Sequence, residues 1–216
     1  MKSPAFVRLL QGTGINSRCA IETKPSSLTG VSELLKSSGS GEYWLPTRIA
    51  TRKWVSKWRV THHAIPRLTL AWCVLDIALA VELAEQFALL APNDVQLMPI
   101  ELDWGKKNPR KDIRYCYVNI HREIDCVNMA ETKVINASDP DVLRMKDSDN
   151  ALVLDPNRIP SSVQAFHPKY LCSEIVISKK LGAALMKLAP GTFECQPIKM
   201  LREESRSRSA LITALL

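Results

Sequence analysis

Histidines are the residues of this chain best suited to acid–base or metal chemistry, because imidazole titrates near neutral pH and binds transition metals. The 216 residues contain four of them, His62, His63, His121 and His167. None falls in an HxxxH, HExxH or Cys/His pattern of a metal site. Neighbouring histidines of a strand point to opposite faces, so His62 and His63 are not expected to act as a catalytic pair. An enzyme that uses His121 or His167 with a nearby acid stays open as an alternative.

Nucleophile and phosphate motifs are also missing from the sequence. The serines show no GxSxG elbow, and "GTG" at residues 12–14 lacks the Lys-Ser/Thr ending of a phosphate loop. The sequence therefore predicts a protein that is not an enzyme and that needs no cofactor and no metal.

Cysteine usage and apolar runs bear on the compartment. The six cysteines form no CxxC pair, and most have apolar neighbours, as buried free thiols do. Arg8 interrupts the apolar patch near the N-terminus, and Asp76 and Glu82 interrupt the run 68–83, which is shorter than the roughly 20 residues of a membrane span. We therefore expect a cytoplasmic protein that does not enter a membrane.

Carboxylates are concentrated between residues 123 and 155, here called the acidic stretch. Its eight acids stand against three basic residues, a net charge of −5. Their irregular spacing suits neither an EF-hand loop nor a two-metal site. Two interpretations remain: a solvated loop, or an acidic surface that meets a basic partner. The acids are Glu123, Asp125, Glu131, Asp139, Asp141, Asp147, Asp149 and Asp155.

The net charge of +7 is unevenly distributed along the chain. Residues 1–67 hold eleven Lys/Arg and three Glu, whereas residues 68–216 carry a net charge of −1. Four tryptophans at positions 44, 54, 58 and 72 alternate with Lys and Arg. Such a pattern can stack bases and bind phosphate, so a nucleic-acid-binding module is a second alternative. The same pattern is also explained by tryptophans that anchor an edge of the core and are covered by the stems of cationic side chains. The chain after residue 67 is not basic as a whole.

An internal similarity indicates the fold. The segment 75–102, "LDIALAVELAEQFALLAPNDVQLMPIEL", aligns without gaps with 173–200, "SEIVISKKLGAALMKLAPGTFECQPIKM", and seven of 28 positions are identical. Each segment predicts a strand, a helix stopped by Pro92 or Pro190, and a short strand ended by Pro99 or Pro197. Ser178 is the predicted N-cap of the second helix. The predicted core residues are Val95, Ile175, Leu181, Leu185 and Phe193.

Further strands are predicted between the two segments, around residues 113–120, 124–129, 151–156 and 163–166. We therefore expect one α+β body built around two similar strand-helix-strand units with extra central strands. The expected organisation is a loosely ordered basic arm at 1–42, an α+β domain at 43–200 and a tail or helix at 201–216.

The order of three segments resembles a known family. "YCYVNIHREID" at 115–125, "LDPNRIPSSVQAF" at 154–166 and "EIVISKKLGAALMKLAPGTFECQPI" at 174–198 resemble the immunity proteins of bacterial polymorphic toxin systems, formerly a domain of unknown function. The matched positions are Tyr115 or Tyr117, Asn119, Asp125, Asp155, Pro156, Phe166, Ser178, Gly191, Phe193 and Pro197.

The resemblance implies a small, cytoplasmic, non-enzymatic antidote that neutralises a cognate toxin protein by stoichiometric occlusion. Its oligomeric state and the identity of the toxin are not implied. Because nucleic-acid-cutting toxins have cationic clefts, the acidic stretch is the predicted contact surface. The predicted toxin-binding residues are Asp139, Asp141, Asp147 and Asp149.

Overall fold

The computed structural model describes residues 6–11, 21–22, 28–29, 36–37, 43–44, 48, 55–60, 69–71, 77–103, 114–139, 142–145, 152–171 and 174–201. Its side chains are described at 6–10, 48, 77–101, 114–133, 152–171 and 174–201. Most of the predicted basic arm, the tryptophan-rich segment, His62 and His63 lie outside the described residues or side chains.

Strands dominate this part of the chain. The strands are β1 (Phe6–Gln11), β2 (Ile21–Glu22), β3 (Leu28–Thr29), β4 (Lys36–Ser37), β5 (Tyr43–Trp44), β6 (Val55–Val60), β7 (Thr69–Ala71), β8 (Ile77–Ala80), β9 (Val95–Asp103), β10 (Tyr115–Ile120), β11 (Glu123–Ile124), β12 (Val134–Asp139), β13 (Val142–Met145), β14 (Val153–Leu154), β15 (Ala165–Pro168), β16 (Ile175–Ser178), β17 (Phe193–Pro197) and β18 (Lys199–Met200). The helices are α1 (Val81–Leu90), α2 (Lys179–Leu188) and a 3-10 turn, Pro156–Arg158.

Two larger sheets organise these strands. One has the order β11-β15-β16-β1-β17, and the other has the order β2-β6-β9-β10-β8-β7, with β3 also pairing with β6. The pairs β4-β5, β12-β13 and β14-β18 form small two-stranded sheets. Mixed sheets with two α-helices confirm the predicted α+β class. Neither helix of the described residues is long and apolar enough to cross a membrane.

The first unit (β8, α1, β9) and the second unit (β16, α2, β17) have the same local arrangement. In each, the two strands flank a third strand that runs antiparallel to both: β10 in the first unit and β1 in the second. The registers correspond, because Val118 pairs with Ile77 and Leu97 just as Leu9 pairs with Ile175 and Cys195.

The two units pack into one hydrophobic core. Pairs of residues that occupy the same place in the two segments are buried together there. The pairs are Ile77 and Ile175, Leu79 and Ile177, Leu83 and Leu181, Phe87 and Leu185, Ala91 and Ala189, and Val95 and Phe193. All five core residues named from the sequence belong to this cluster. Helices α1 and α2 contact each other over it.

Strand β1 corrects the proposed organisation. The expectation of a loosely ordered arm over 1–42 is wrong at Phe6–Gln11, which pairs with both β16 and β17. Val7 and Leu9 enter the shared core, while Phe6 packs edge-on against Phe166 in a second apolar cluster, with ring centroids 5.5 Å apart. Arg8 forms an ion pair with Glu174. This pair compensates the charge of an arginine within the strand.

Two further expectations are wrong in detail. Pro99 does not end its strand, since β9 continues to Asp103. The pairing of β6 with β9 begins only at Glu101. On the β6 side of β9, no strand of the described residues therefore pairs with Pro99. Proline has no backbone N–H to donate, and this is tolerated where no neighbouring strand needs it. In the acidic stretch, β12 and β13 form an antiparallel hairpin where a solvated loop was one of the two interpretations.

Candidate functional site

A buried carboxylate, Asp94, lies where the two larger sheets meet. It follows α1 in the turn that leads into β9. Its Oδ2 atom accepts hydrogen bonds from the backbone N–H groups of Gln164, at 2.6 Å, and Ala165, at 3.2 Å. Its Oδ1 atom accepts one from Nε of Arg122, at 3.2 Å. Both carboxylate oxygens therefore accept hydrogen bonds, one from Arg122 and two from backbone N–H groups.

Gln164 extends this network to the second unit. Its carbonyl oxygen accepts the backbone N–H of Ser178 at 2.8 Å, and its Oε1 accepts the Ser178 hydroxyl at 2.7 Å. The Ser178 oxygen in turn accepts the N–H of Leu181 at 3.2 Å and so caps α2. Asp94, Arg122, Gln164 and Ser178, here called the polar junction, thus connect the end of α1 to the beginning of α2.

His121 borders the polar junction. Its backbone N–H donates to the carbonyl oxygen of Asp94 at 3.1 Å. Burial lowers the pKa of the imidazole below its usual value, the nearby charges of Arg48 and Arg122 lower it further, and Asp94 opposes this shift. Its Nε2 atom is buried and has no hydrogen-bond partner among the described residues. Burial and the two arginines therefore favour the neutral form of the imidazole.

His167 is held inside the fold. The residue is buried, and its Nδ1 lies 3.0 Å from the carbonyl oxygen of Glu174. Nη2 of Arg8 donates a hydrogen bond to Oε1 of the Glu174 carboxylate, at 2.7 Å. His121 and His167 do not share an acidic neighbour in the structure. His121 contacts Asp94, whereas His167 contacts Glu174. No group of three or more metal-binding side chains occurs in the described part of the chain.

Several of the residues that carry the family resemblance are buried or lie at a cap or turn of the fold. Tyr117, Asn119 and Phe166 are buried. Asp155 accepts the N–H of Asn157 at 3.0 Å and caps the 3-10 turn, while Gly191 has a positive φ of 75° after α2, a conformation that suits glycine. The resemblance therefore falls on residues that shape the scaffold.

Several acids of the acidic stretch have basic partners within the chain. Arg158 lies between Asp125, at 3.6 Å, and Asp155, at 3.8 Å. Glu131 accepts a hydrogen bond from the ammonium of Lys199 at 2.9 Å. These pairs are exposed or half-exposed, so each contributes little stability. They do offset part of the negative charge on the surface near β11 and β18.

The four predicted toxin-binding acids lie elsewhere in the acidic stretch. Asp139 is the last residue of β12, opposite Val142 of β13. Asp141 falls in the two-residue interval between these strands, and Asp147 and Asp149 follow β13 in sequence; these three lie outside the described residues. Asp139 therefore lies at the end of β12 that is joined to β13.

Comparison with models of protein families and with curated proteins finds no match to this chain.

Sequence analysis missed the polar junction. Arg122, Asp94 and Gln164 carry no motif, and they are distant from one another in sequence. One signal was available: Asp94 and Thr192 occupy the same place in the two aligned segments, and both are buried polar residues. A short polar side chain directly after each helix stop indicates a position that contacts backbone.

Proposed function

We propose that this protein is an immunity protein, which binds a cognate toxin protein of a bacterial competition system and neutralises it by stoichiometric occlusion. The resemblance in residue order supports the proposal. The structural observation that carries it furthest is the acidic hairpin β12–β13, which in the described residues pairs only with itself. A hairpin whose strands pair with neither larger sheet is suited to bind in a cleft of another protein.

The charges of the acidic stretch give this hairpin a partner of definite chemistry. Asp139 ends β12, Asp141 stands between β12 and β13 in sequence, and Asp147 and Asp149 follow β13 in sequence. An enzyme that cuts nucleic acid lines its active site with cations, which attract such carboxylates over several ångströms and speed association. Blocking that cleft prevents the nucleic acid from entering.

The rest of the fold suits a binding scaffold. The two units share one core, and the polar junction fixes the chain before β15 against the end of α1. A scaffold that changes little on binding loses little conformational entropy, so more of the interaction energy appears as affinity. High affinity is required of an antidote, because toxin that escapes damages the cell that makes it.

The proposal requires a reading frame with a toxin-like C-terminal domain next to the gene of this chain, and the decisive experiment uses that domain. The protein should rescue growth of cells that express the domain, and calorimetric titration of purified proteins should give one copy bound per toxin. A stoichiometric inhibitor abolishes toxin activity at an equimolar endpoint, whereas an enzyme protects at far lower amounts. Protection at a small fraction of the toxin concentration would favour the enzyme alternative.

A charge reversal tests which surface is used. Changing Asp139, Asp141, Asp147 and Asp149 to Lys should slow association with the toxin at least about tenfold at low salt, because electrostatic steering is reversed. The effect should shrink at high salt, where charges are screened.

The matched control reverses two exposed acids outside the acidic stretch, Glu101→Lys and Glu194→Lys. It should change the association rate much less, because it leaves the hairpin charge intact. Thermal unfolding of both variants checks that the fold is retained. Equal slowing by the two variants, or no slowing by the first, would contradict the hairpin as the contact surface.

A further inference from the structure

The outer faces of α1 and α2 combine exposed apolar side chains with charges of opposite sign. Each helix buries one stripe in the shared core and leaves the opposite stripe exposed, and the two helices contact each other. Leu89 on α1 is 71% exposed, and Leu188 and Met186 on α2 are 48% and 38% exposed. Large apolar side chains gathered on adjoining helices indicate a contact surface more than they indicate a solvated one.

The charges on this surface are divided between the helices. Helix α1 exposes Glu82 and Glu85, whereas α2 exposes Lys179, Lys180 and Lys187. None of these five side chains forms an ion pair in the part of the chain that the structure describes. One helix therefore carries a net negative outer face and its neighbour a net positive one.

We propose that this helix pair is the interface with a second copy of the same chain. In a two-fold dimer the same surface meets itself, so it must be self-complementary. For two helices that lie side by side there are two such two-fold stackings, and one of them places each helix over its own equivalent, so that helix faces of the same charge meet. The other, with the axis parallel to the helices, places α1 over α2 of the second copy.

Only the second arrangement pairs opposite charges. Glu82 and Glu85 of one copy then face the lysines of α2 in the other, and the contact is made twice. Leu89, Met186 and Leu188, which lie in the last turns of their helices, are removed from water at this contact. The partner is thus identified by the charge division itself, and these residues are separate from those proposed to contact the toxin.

Two charge-swapped variants test this arrangement. The first, Glu82→Lys with Glu85→Lys, makes both helices basic; the second, Lys179→Glu with Lys180→Glu and Lys187→Glu, makes both acidic. Sedimentation equilibrium of the wild-type protein should show a monomer–dimer equilibrium. Each variant alone should dissociate at least about tenfold more readily, because like charges now face each other. An equimolar mixture of the two variants should recover the dimer, since every contact in the mixed species joins opposite charges.

Recovery in the mixture also shows that both variants are folded, and circular dichroism of each provides an independent check. Reversing Glu101 and Glu194 is the matched control and should leave the dimer unchanged. A monomeric wild-type protein, a dimer that the swaps do not weaken, or a mixture that stays monomeric would each overturn the proposal. If the swaps instead weaken only the capture of toxin, the helix surface belongs to the toxin and the second copy is excluded.

Discussion

At the scale of single residues, Asp94 joins the turn before β9 to the start of β15. Its carboxylate is buried and satisfies two backbone N–H groups as well as Arg122. Removing a buried acceptor leaves its donors without partners, which costs about 1 to 3 kcal/mol for each buried donor. Arg122 is half-exposed, so water replaces part of what it loses.

Substitutions at the polar junction should therefore follow a definite order. We expect Asp94→Ala to lower the free energy of unfolding by about 2 to 4 kcal/mol, Asp94→Asn by less, and Arg122→Ala by about 1 kcal/mol or less. Urea denaturation measures all three. Arg122→Ala that destabilises as much as Asp94→Ala would show that the ion pair, and not the backbone hydrogen bonds, dominates.

His121 should make stability depend on pH. Its pKa in the folded protein is lowered from the usual 6.5, mainly by burial. The unfolded chain therefore binds a proton more readily, so this contribution to stability is complete above pH 6.5 and is lost as the pH falls towards the folded pKa. His121→Asn should flatten the dependence of the free energy of unfolding on pH over this range. An unchanged slope in the variant would assign the dependence to other groups.

At the scale of elements, β1 completes the second unit. It lies between β16 and β17, the position that β10 holds between β8 and β9. Deleting residues 2–40 should therefore disrupt the second unit, because the deletion removes a central strand. Its side chains alternate: Leu9 faces the shared core, whereas Leu10 is only half-buried.

This alternation gives a matched pair of variants. Leu9→Asp should prevent stable folding or lower the free energy of unfolding by several kcal/mol, since it places a charge in the core. Leu10→Asp on the same strand should cost much less. Denaturation midpoints, or soluble yield where the first variant does not fold, measure the difference. Equal effects would mean that β1 is not inserted in this register.

The origin of β1 explains why sequence patterns could predict some elements and not others. The helices were predictable because Leu83, Phe87, Leu181 and Leu185 recur at helical spacing before a proline. The third strand of the second unit was not, because it precedes that unit by more than 160 residues, whereas β10 directly follows the first unit. Local periodicity carries no information on such long-range pairing. The polar junction could not be predicted for the same reason, because its residues come together only after the sheets assemble.

At the scale of the whole molecule, the two units are not independent bodies. Their equivalent residues share one core, α1 contacts α2, and the polar junction joins the end of one helix to the beginning of the other. A strand-helix-strand unit of this size buries little apolar surface alone. Neither unit should therefore remain folded when the other is unfolded.

Unfolding should accordingly be a single cooperative transition that responds to a change in either unit. Phe193→Ala in the second unit should lower the free energy of unfolding by about 3 to 5 kcal/mol, and Val95→Ala in the first unit by less, because each leaves a cavity in the same core. Both variants should shift the one transition seen by far-ultraviolet circular dichroism, with an unchanged dependence on denaturant. Hydrogen exchange at β10 and β1 should lose protection together in each variant. If Phe193→Ala exposes β1 and leaves the protection of β10 intact, the two units unfold separately and the shared core does not couple them.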